Sequence, residues 1–199
     1  MPISIGQLAA GFALSVLIGL IAYRFHALSL DGVAGAVLVG TLTFGLGGFS
    51  WAAVIVAFFA SSSLLTRYGA DQKRGAAVEF AKGGRRDFFQ VMANGGAAAA
   101  LAVASALFPA LNSGLIFAAF IGAMATVTAD TWATELGLLS QETPRLITTW
   151  KSVRKGESGA VTVLGLTAAA TGALFIGSAA LFGKFLEGLF TDVFANSLL

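Results

Sequence analysis

The chain's 199 residues are 57% hydrophobic and 11% charged, with a mean hydropathy of +0.85 and a formal net charge of +2. So much apolar surface excludes a soluble domain of this size. Zero cysteine excludes disulfides, thiolate metal sites and cysteine nucleophiles, and the single histidine, His26, excludes a polyhistidine metal centre.

With about twenty apolar residues needed per crossing, the sequence predicts an all-α polytopic membrane protein. Its six spans fall at 5–23, 33–48, 49–66, 88–108, 115–134 and 160–182. The whole chain, 1–199, reads as a single integral membrane domain. No Lys or Arg precedes the first segment, and it lacks the pattern of a cleaved signal peptide, so it is retained as a span. The second is short and reads as a span or a re-entrant segment. Eleven of the twelve basic residues fall in three stretches, Arg24, Arg67 to Arg86, and Arg145 to Lys155. Alternation of the spans puts all three on one side, the cytoplasm by the positive-inside rule, with the N-terminus outside. Only Lys184 breaks that pattern. In a bacterium this is the inner membrane, with the working face cytoplasmic. Topology thus accounts for the basic residues without a nucleic-acid partner. Small residues at four-residue spacing, Ser15 and Gly19, Ala36 and Gly40, Ala118 and Gly122, Ala168 and Gly172, predict close helix packing.

Three polar stretches exceed what topology and packing require. The first is Lys82-Gly83-Gly84-Arg85-Arg86-Asp87, running into Gln90 and Asn94 at the start of the fourth span. Arginines in a helix's first turn oppose its dipole. They suit a helix that receives a phosphate from backbone N–H groups and guanidinium forks together. Arg86, Gln90 and Asn94 then form one polar stripe entering the membrane.

The second stretch, Thr126 to Gly137, ends the fifth span. Asp130 lies about 6 Å inside the expected boundary. An intramembrane carboxylate is a functional candidate unless it is a structural partner of Arg85 or Arg86. Asp130 and Glu135 are five residues apart, hence about 140° apart on a straight helix, and share one ion only if the helix unwinds near Gly137. The third stretch, Thr148 to Gly159, leads into Thr162 of the sixth span as a basic, glycine-containing anion cradle. It carries no GxxxxGK[ST] pattern.

Two positive helix ends and an acidic one meet at the same face. Two phosphate seats around a metal-binding acid suit phosphoryl transfer, and oxygen ligands alone point to Mg²⁺.

Gly83-Gly84-Arg85-Arg86-Asp87 with Gln90-Val91 and Ala93-Asn94-Gly95-Gly96 form one group of motifs. Ala129-Asp130-Thr131 with Glu135-Leu136-Gly137 form a second, and Gly156 with Gly159-Ala160-Val161-Thr162 and Gly165 a third. From about Leu30 to Gly177 they resemble an integral membrane family that contains the plant phytyl-phosphate kinase of tocopherol and phylloquinone synthesis. The resemblance implies transfer of a phosphoryl group from CTP or another nucleoside triphosphate to an isoprenyl monophosphate, giving the diphosphate. On that expectation Asp130, Glu135 and Arg86 are catalytic, with Asp130 and Glu135 as Mg²⁺ ligands. Lys82, Arg85 and Arg86 hold one phosphate group and Lys151, Arg154 and Lys155 the other, with Gly83, Gly84, Gln90, Asn94, Thr131, Ser158 and Thr162 also binding phosphate or nucleotide. Members of the family usually continue past the sixth span with further motifs, so the tail at 184–199 reads as an interfacial helix or the start of another span. Two rivals fit parts of the pattern. A lipid or prenyl-phosphate flippase predicts an inverted repeat, and none is evident. A CTP-dependent lipid nucleotidyltransferase would release pyrophosphate instead of CDP.

Overall fold

The computed structural model describes residues 4–76, 84–111 and 113–196. Its helices are α1 (Ile5–Arg24), α2 (Leu30–Gly47), α3 (Phe49–Arg67), α4 (Ala70–Ala76), α5 (Phe88–Leu107), α6 (Ser113–Gly137) and α7 (Val163–Asn196). Two short strands, β1 (Arg145–Leu146) and β2 (Ala160–Val161), pair antiparallel between α6 and α7. All helices except α4 are long and apolar enough to cross a membrane, six in the described residues. The protein is a multi-pass membrane protein.

Side-chain caps fix where the helices begin. Ser4 accepts from Gln7 N–H at 3.3 Å, Ser29 from Gly32 N–H at 3.2 Å, and Asp87 from Gln90 N–H at 2.9 Å. The cap at Ser29 starts the second span three residues earlier than expected, at Leu30, and makes it a full 18-residue helix, not a re-entrant one. Thr162 caps α7 through Gly165 N–H at 3.0 Å, so Ala160 and Val161 belong to a strand and not to the sixth span. Gly48, at φ +90°, turns α2 directly into α3.

Helix α1 packs on α2, and α2 on α3 and α5; α6 packs on α3, α5 and α7, and α7 also on α3. The core between α3, α5, α6 and α7 contains Trp51, Phe58, Phe120, Met124 and Ile176. Trp51 lies 4.2 Å from Phe120, ring centre to ring centre. Small residues permit the close approaches: a Cβ on Gly40 would stand 2.3 Å from Ser15 Oγ, and one on Gly172 would stand 3.1 Å from the Trp132 ring. Gly122 departs from the expected pattern. Nothing lies within 4 Å of its Cβ position, so the Ala118 and Gly122 pair faces away from the bundle.

Residues 184–196 continue α7 without a break, so the tail extends the last span instead of forming a separate interfacial helix. Glu187 ties this end to the α2–α3 turn, accepting from Ser50 Oγ at 2.5 Å and pairing with Lys184 at 2.7 Å. At the opposite end the connection between α1 and α2 runs parallel to the chain entering α5. Arg86 N–H donates to Ala27 O at 2.9 Å, and Ser29 N–H to Arg86 O at 3.1 Å. This brings the end of α1, with Arg24, to Arg86, and the Lys73–Glu135 pair sets the end of α6 at the same end of the bundle. Gly32 makes the junction possible, because a Cβ there would sit 2.1 Å from Arg86 O. Gly32→Ala is expected to cost about 1–3 kcal/mol through overpacking against backbone. A lowered melting temperature in detergent checks this, and an unchanged one would refute it.

Candidate functional site

The buried polar centre forms where α3, α4 and α6 meet the segment before α5. Glu135, on α6, accepts from Thr66 at 2.6 Å through Oε1 and from Lys73 at 2.7 Å through Oε2. Short α4 carries Lys73 inward, where its side chain is 8% exposed and that of Glu135 17%. Lys73 Nζ also donates to Leu65 O at 2.6 Å. Arg86 donates to Ser63 Oγ at 3.0 Å and lies 5.8 Å from the Phe59 ring centre. Burial lowers the Arg86 pKa from its ordinary value, and the neighbouring Glu135 carboxylate opposes that shift.

Below Arg86 opens a cleft walled by α1, α2, α3 and α5, with a cavity of about 140 Å³. Leu14, Ile18, Val39, Phe44, Phe58 and Phe59 make it apolar, and Arg86 and Asn94 supply polar groups. The Thr43 hydroxyl in its wall already donates to Val39 O at 2.8 Å.

Asp130 sits elsewhere. It is exposed and lines a second cleft, of about 530 Å³, with Thr134, Lys155, Gly156, Glu157, Ser158, Gly159 and Thr162. The β1–β2 pairing folds the 147–159 segment back over the start of α7, and Lys155 Nζ anchors it by donating to Ser140 O. Close contact of Gly165 with Gly137, 3.5 Å from a would-be Cβ to Cα, sets α7 against the end of α6 beneath this cleft.

The chain matches the family model described as Integral membrane protein DUF92 over residues 13–197. It belongs to the DUF92 family. It is similar to Protein PGR of Arabidopsis thaliana, with 38% identity over 94% of this chain and 68% of that one. An uncharacterised membrane protein of Methanocaldococcus jannaschii is 33% identical, over 83% of this chain and 65% of its own length. Protein VTE6, chloroplastic, of A. thaliana is 30% identical, over 78% of this chain and 47% of its own length. The chain therefore spans between about half and two thirds of these relatives. No solved structure matches it.

In this DUF92 chain the expected site residues divide into two groups. Helix α6 is unbroken to Gly137, so it does not unwind to bring Asp130 and Glu135 together. Glu135 is the acid that faces Arg86, whereas Asp130 forms no ion pair among the described residues. The expected alternative, Asp130 as partner of Arg85 or Arg86, is not what forms: Arg85 meets His26 Nδ1 instead. Arg85 and Arg86 precede the cap residue Asp87 and so lie outside the first turn of α5. Two of that turn's amides are taken by carboxylates, Phe88 N–H by Asp31 at 3.1 Å and Gln90 N–H by Asp87, which leaves those two unavailable to a phosphate. The Gln90 amide bonds Asp87 at 3.4 Å, and Asn94 lines the apolar cleft. Thr131 Oγ1 donates to Val127 O at 2.9 Å within its own helix. Thr162 serves as a cap, while Ser158 lies in the Asp130 cleft. Gly84, Lys151 and Arg154 are exposed, and Lys82 and Gly83 lie outside the described residues. Sequence reasoning left Lys73 unassigned, because one lysine in a basic loop carries no pattern that separates it from topology.

Among the described residues no three acidic or imidazole side chains gather as a metal cage. Mg²⁺ at phosphoryl-transfer sites takes one or two carboxylates and completes its shell with water and phosphate oxygens. Asp130 and Glu157, in one cleft with the hydroxyls of Thr134 and Ser158, fit that need. Glu135 does not, since both its oxygens already accept from Thr66 and Lys73.

Proposed function

We propose that this protein is a membrane-embedded phosphotransferase that passes a phosphoryl group from a nucleoside triphosphate, CTP in the first instance, to an isoprenyl monophosphate. The observation that carries this reading is the apolar cleft within the spans that ends on the half-buried cation Arg86. A long hydrocarbon chain bearing one phosphate has that polarity. Similarity to VTE6, and the resemblance of the glycine, arginine and aspartate motifs to the phytyl-phosphate kinase family, support the same substrate class.

In this reading the prenyl chain lies along Leu14, Ile18, Val39 and Phe58, and its phosphate is held by Arg86, with Arg85 beside it. Glu135 positions Arg86 and is not itself a metal ligand. The donor's phosphates lie over Gly156–Gly159 with Lys155, and Asp130 and Glu157 would hold Mg²⁺. A bound Mg²⁺ supplies neutralisation of charge on the donor phosphates. An oxygen of the acceptor phosphate forms the new bond to the donor's terminal phosphorus as the bond to the departing nucleoside diphosphate breaks. Because a phosphate monoester has its second pKa near about 6, the acceptor is mostly dianionic at neutral pH and no side chain has to remove a proton. The two seats lie on different sides of the end of α6, so in this reading the acceptor phosphate must move past that end from Arg86 to reach the donor, at the end of the bundle that bears the basic loops and that we assign to the cytoplasmic face.

The test is incubation of detergent-purified protein with Mg²⁺, CTP and a panel of prenyl monophosphates, read by mass spectrometry. A prenyl diphosphate with released CDP is the expected product. Pyrophosphate with a CDP-linked lipid would identify a nucleotidyltransferase. Tight binding of prenyl phosphate without any product would instead favour a carrier.

A further inference from the structure

We propose that the recess between the 145–161 hairpin and the start of α7 seats the base of a nucleoside phosphate, with Trp150 as its stacking platform. This rests on the reading of the adjoining Asp130 cleft as the donor-phosphate site.

The recess has a volume of about 350 Å³ and is lined by Glu142, Thr143, Arg145 and Trp150, with Val161 and Thr162 at its back. Val161 and Thr162 also line the Asp130 cleft, so the two spaces adjoin at β2 and the cap of α7. One ligand can therefore occupy both, its phosphates over Gly156–Gly159 and its base on the far side of Thr162.

Trp150 stands in that recess by construction. It is 60% exposed, and its backbone is held at φ 55°, a left-handed conformation that costs energy for any residue with a bulky side chain. Three hydrogen bonds impose it. Trp150 N–H donates to Leu146 O at 2.8 Å, Leu146 N–H donates to Lys151 O at 2.9 Å, and Arg145 Nη1 donates to Trp150 O at 3.4 Å. Packing does not require the ring, since most of it is exposed, so the strained turn serves to present it. Beside the ring stand a carboxylate and a hydroxyl, Glu142 and Thr143, which accept from ring N–H and exocyclic amino groups. An acyl chain would leave those groups unsatisfied, whereas a nucleobase has both a π-face for Trp150 and polar edges for its neighbours.

Equilibrium binding of CTP and of inorganic tripolyphosphate to the full chain in detergent, in wild type, Trp150→Leu and Trp150→Phe, tests the assignment. Trp150→Leu is expected to weaken CTP binding about tenfold or more, the loss that stacking of one base on one ring supports. Tripolyphosphate affinity and melting temperature are expected to stay at wild-type values, and Trp150→Phe to retain most of the CTP affinity. Unchanged CTP affinity in Trp150→Leu overturns the proposal and assigns the ring to the bilayer interface. Equal weakening of CTP and tripolyphosphate also overturns it, as a general disturbance of the hairpin. If wild type binds tripolyphosphate as tightly as CTP, the base seat falls while the phosphate site stands. If it binds neither, both readings fall.

Discussion

Replacing Asp130 by Asn is expected to abolish Mg²⁺-dependent phosphoryl transfer while leaving the melting temperature unchanged. The side chain is exposed in its cleft and forms no ion pair among the described residues, so nothing in the fold depends on its charge. Asn keeps the volume and one carbonyl oxygen but removes the charge that binds a hard divalent cation. Partners one layer out from a metal commonly account for 10- to 100-fold in activity, so loss of a direct ligand is expected to exceed about a hundredfold. Turnover of Asp130→Asn with purified prenyl phosphate and CTP measures this. Wild-type activity in that variant would sink the assignment of Asp130, and a large drop in melting temperature would recast it as structural.

Glu135→Leu is expected to act the other way, through stability first. The carboxylate faces Lys73 and Thr66 directly and stands close enough to Arg86 to influence its charge. Removing it strands a lysine whose side chain is 8% exposed. Breaking a buried pair from one side costs about 3–5 kcal/mol. Lys73→Met alone should cost less, because Glu135 keeps Arg86 and Thr66. The double variant Lys73→Met with Glu135→Leu should recover part of the loss, and a thermal melting cycle over the four proteins reads the coupling. Strict additivity would show that the 2.7 Å pair contributes nothing to holding this end together. If Glu135 positions Arg86 as proposed, whichever variants fold should show a raised KM for the prenyl phosphate.

The bundle was largely legible in the sequence because twenty-residue apolar runs leave the backbone few alternatives in a bilayer. The ends of the spans were less so. Leu30 and Val163 are helix starts set by the hydroxyls of Ser29 and Thr162, signals of one residue each. The strands at Arg145–Leu146 and Ala160–Val161 are two residues long and leave no periodicity to read. At the candidate site, angular spacing along one helix was informative: five residues on an unbroken α6 do part Asp130 from Glu135. Which acid would lie near enough to Arg86 to act on its charge was not legible. The position of Arg86 depends on Ala27 and Ser29 capturing the chain there, more than fifty residues away in sequence.

The ion pair between Lys73 and Glu135 also bears on how the protein is made. Translation delivers Lys73 and Arg86 well before Glu135, 62 residues after Lys73. Until then Lys73 lacks its acid, and an unpaired ammonium is costly to bury in hydrocarbon, so it is expected to stay hydrated. Arrival of α6 supplies the missing charge and lets Lys73 withdraw from water. Lys73 is thus expected to serve twice, first keeping its segment at the water surface during membrane insertion and then, with Glu135, closing this end of the finished bundle.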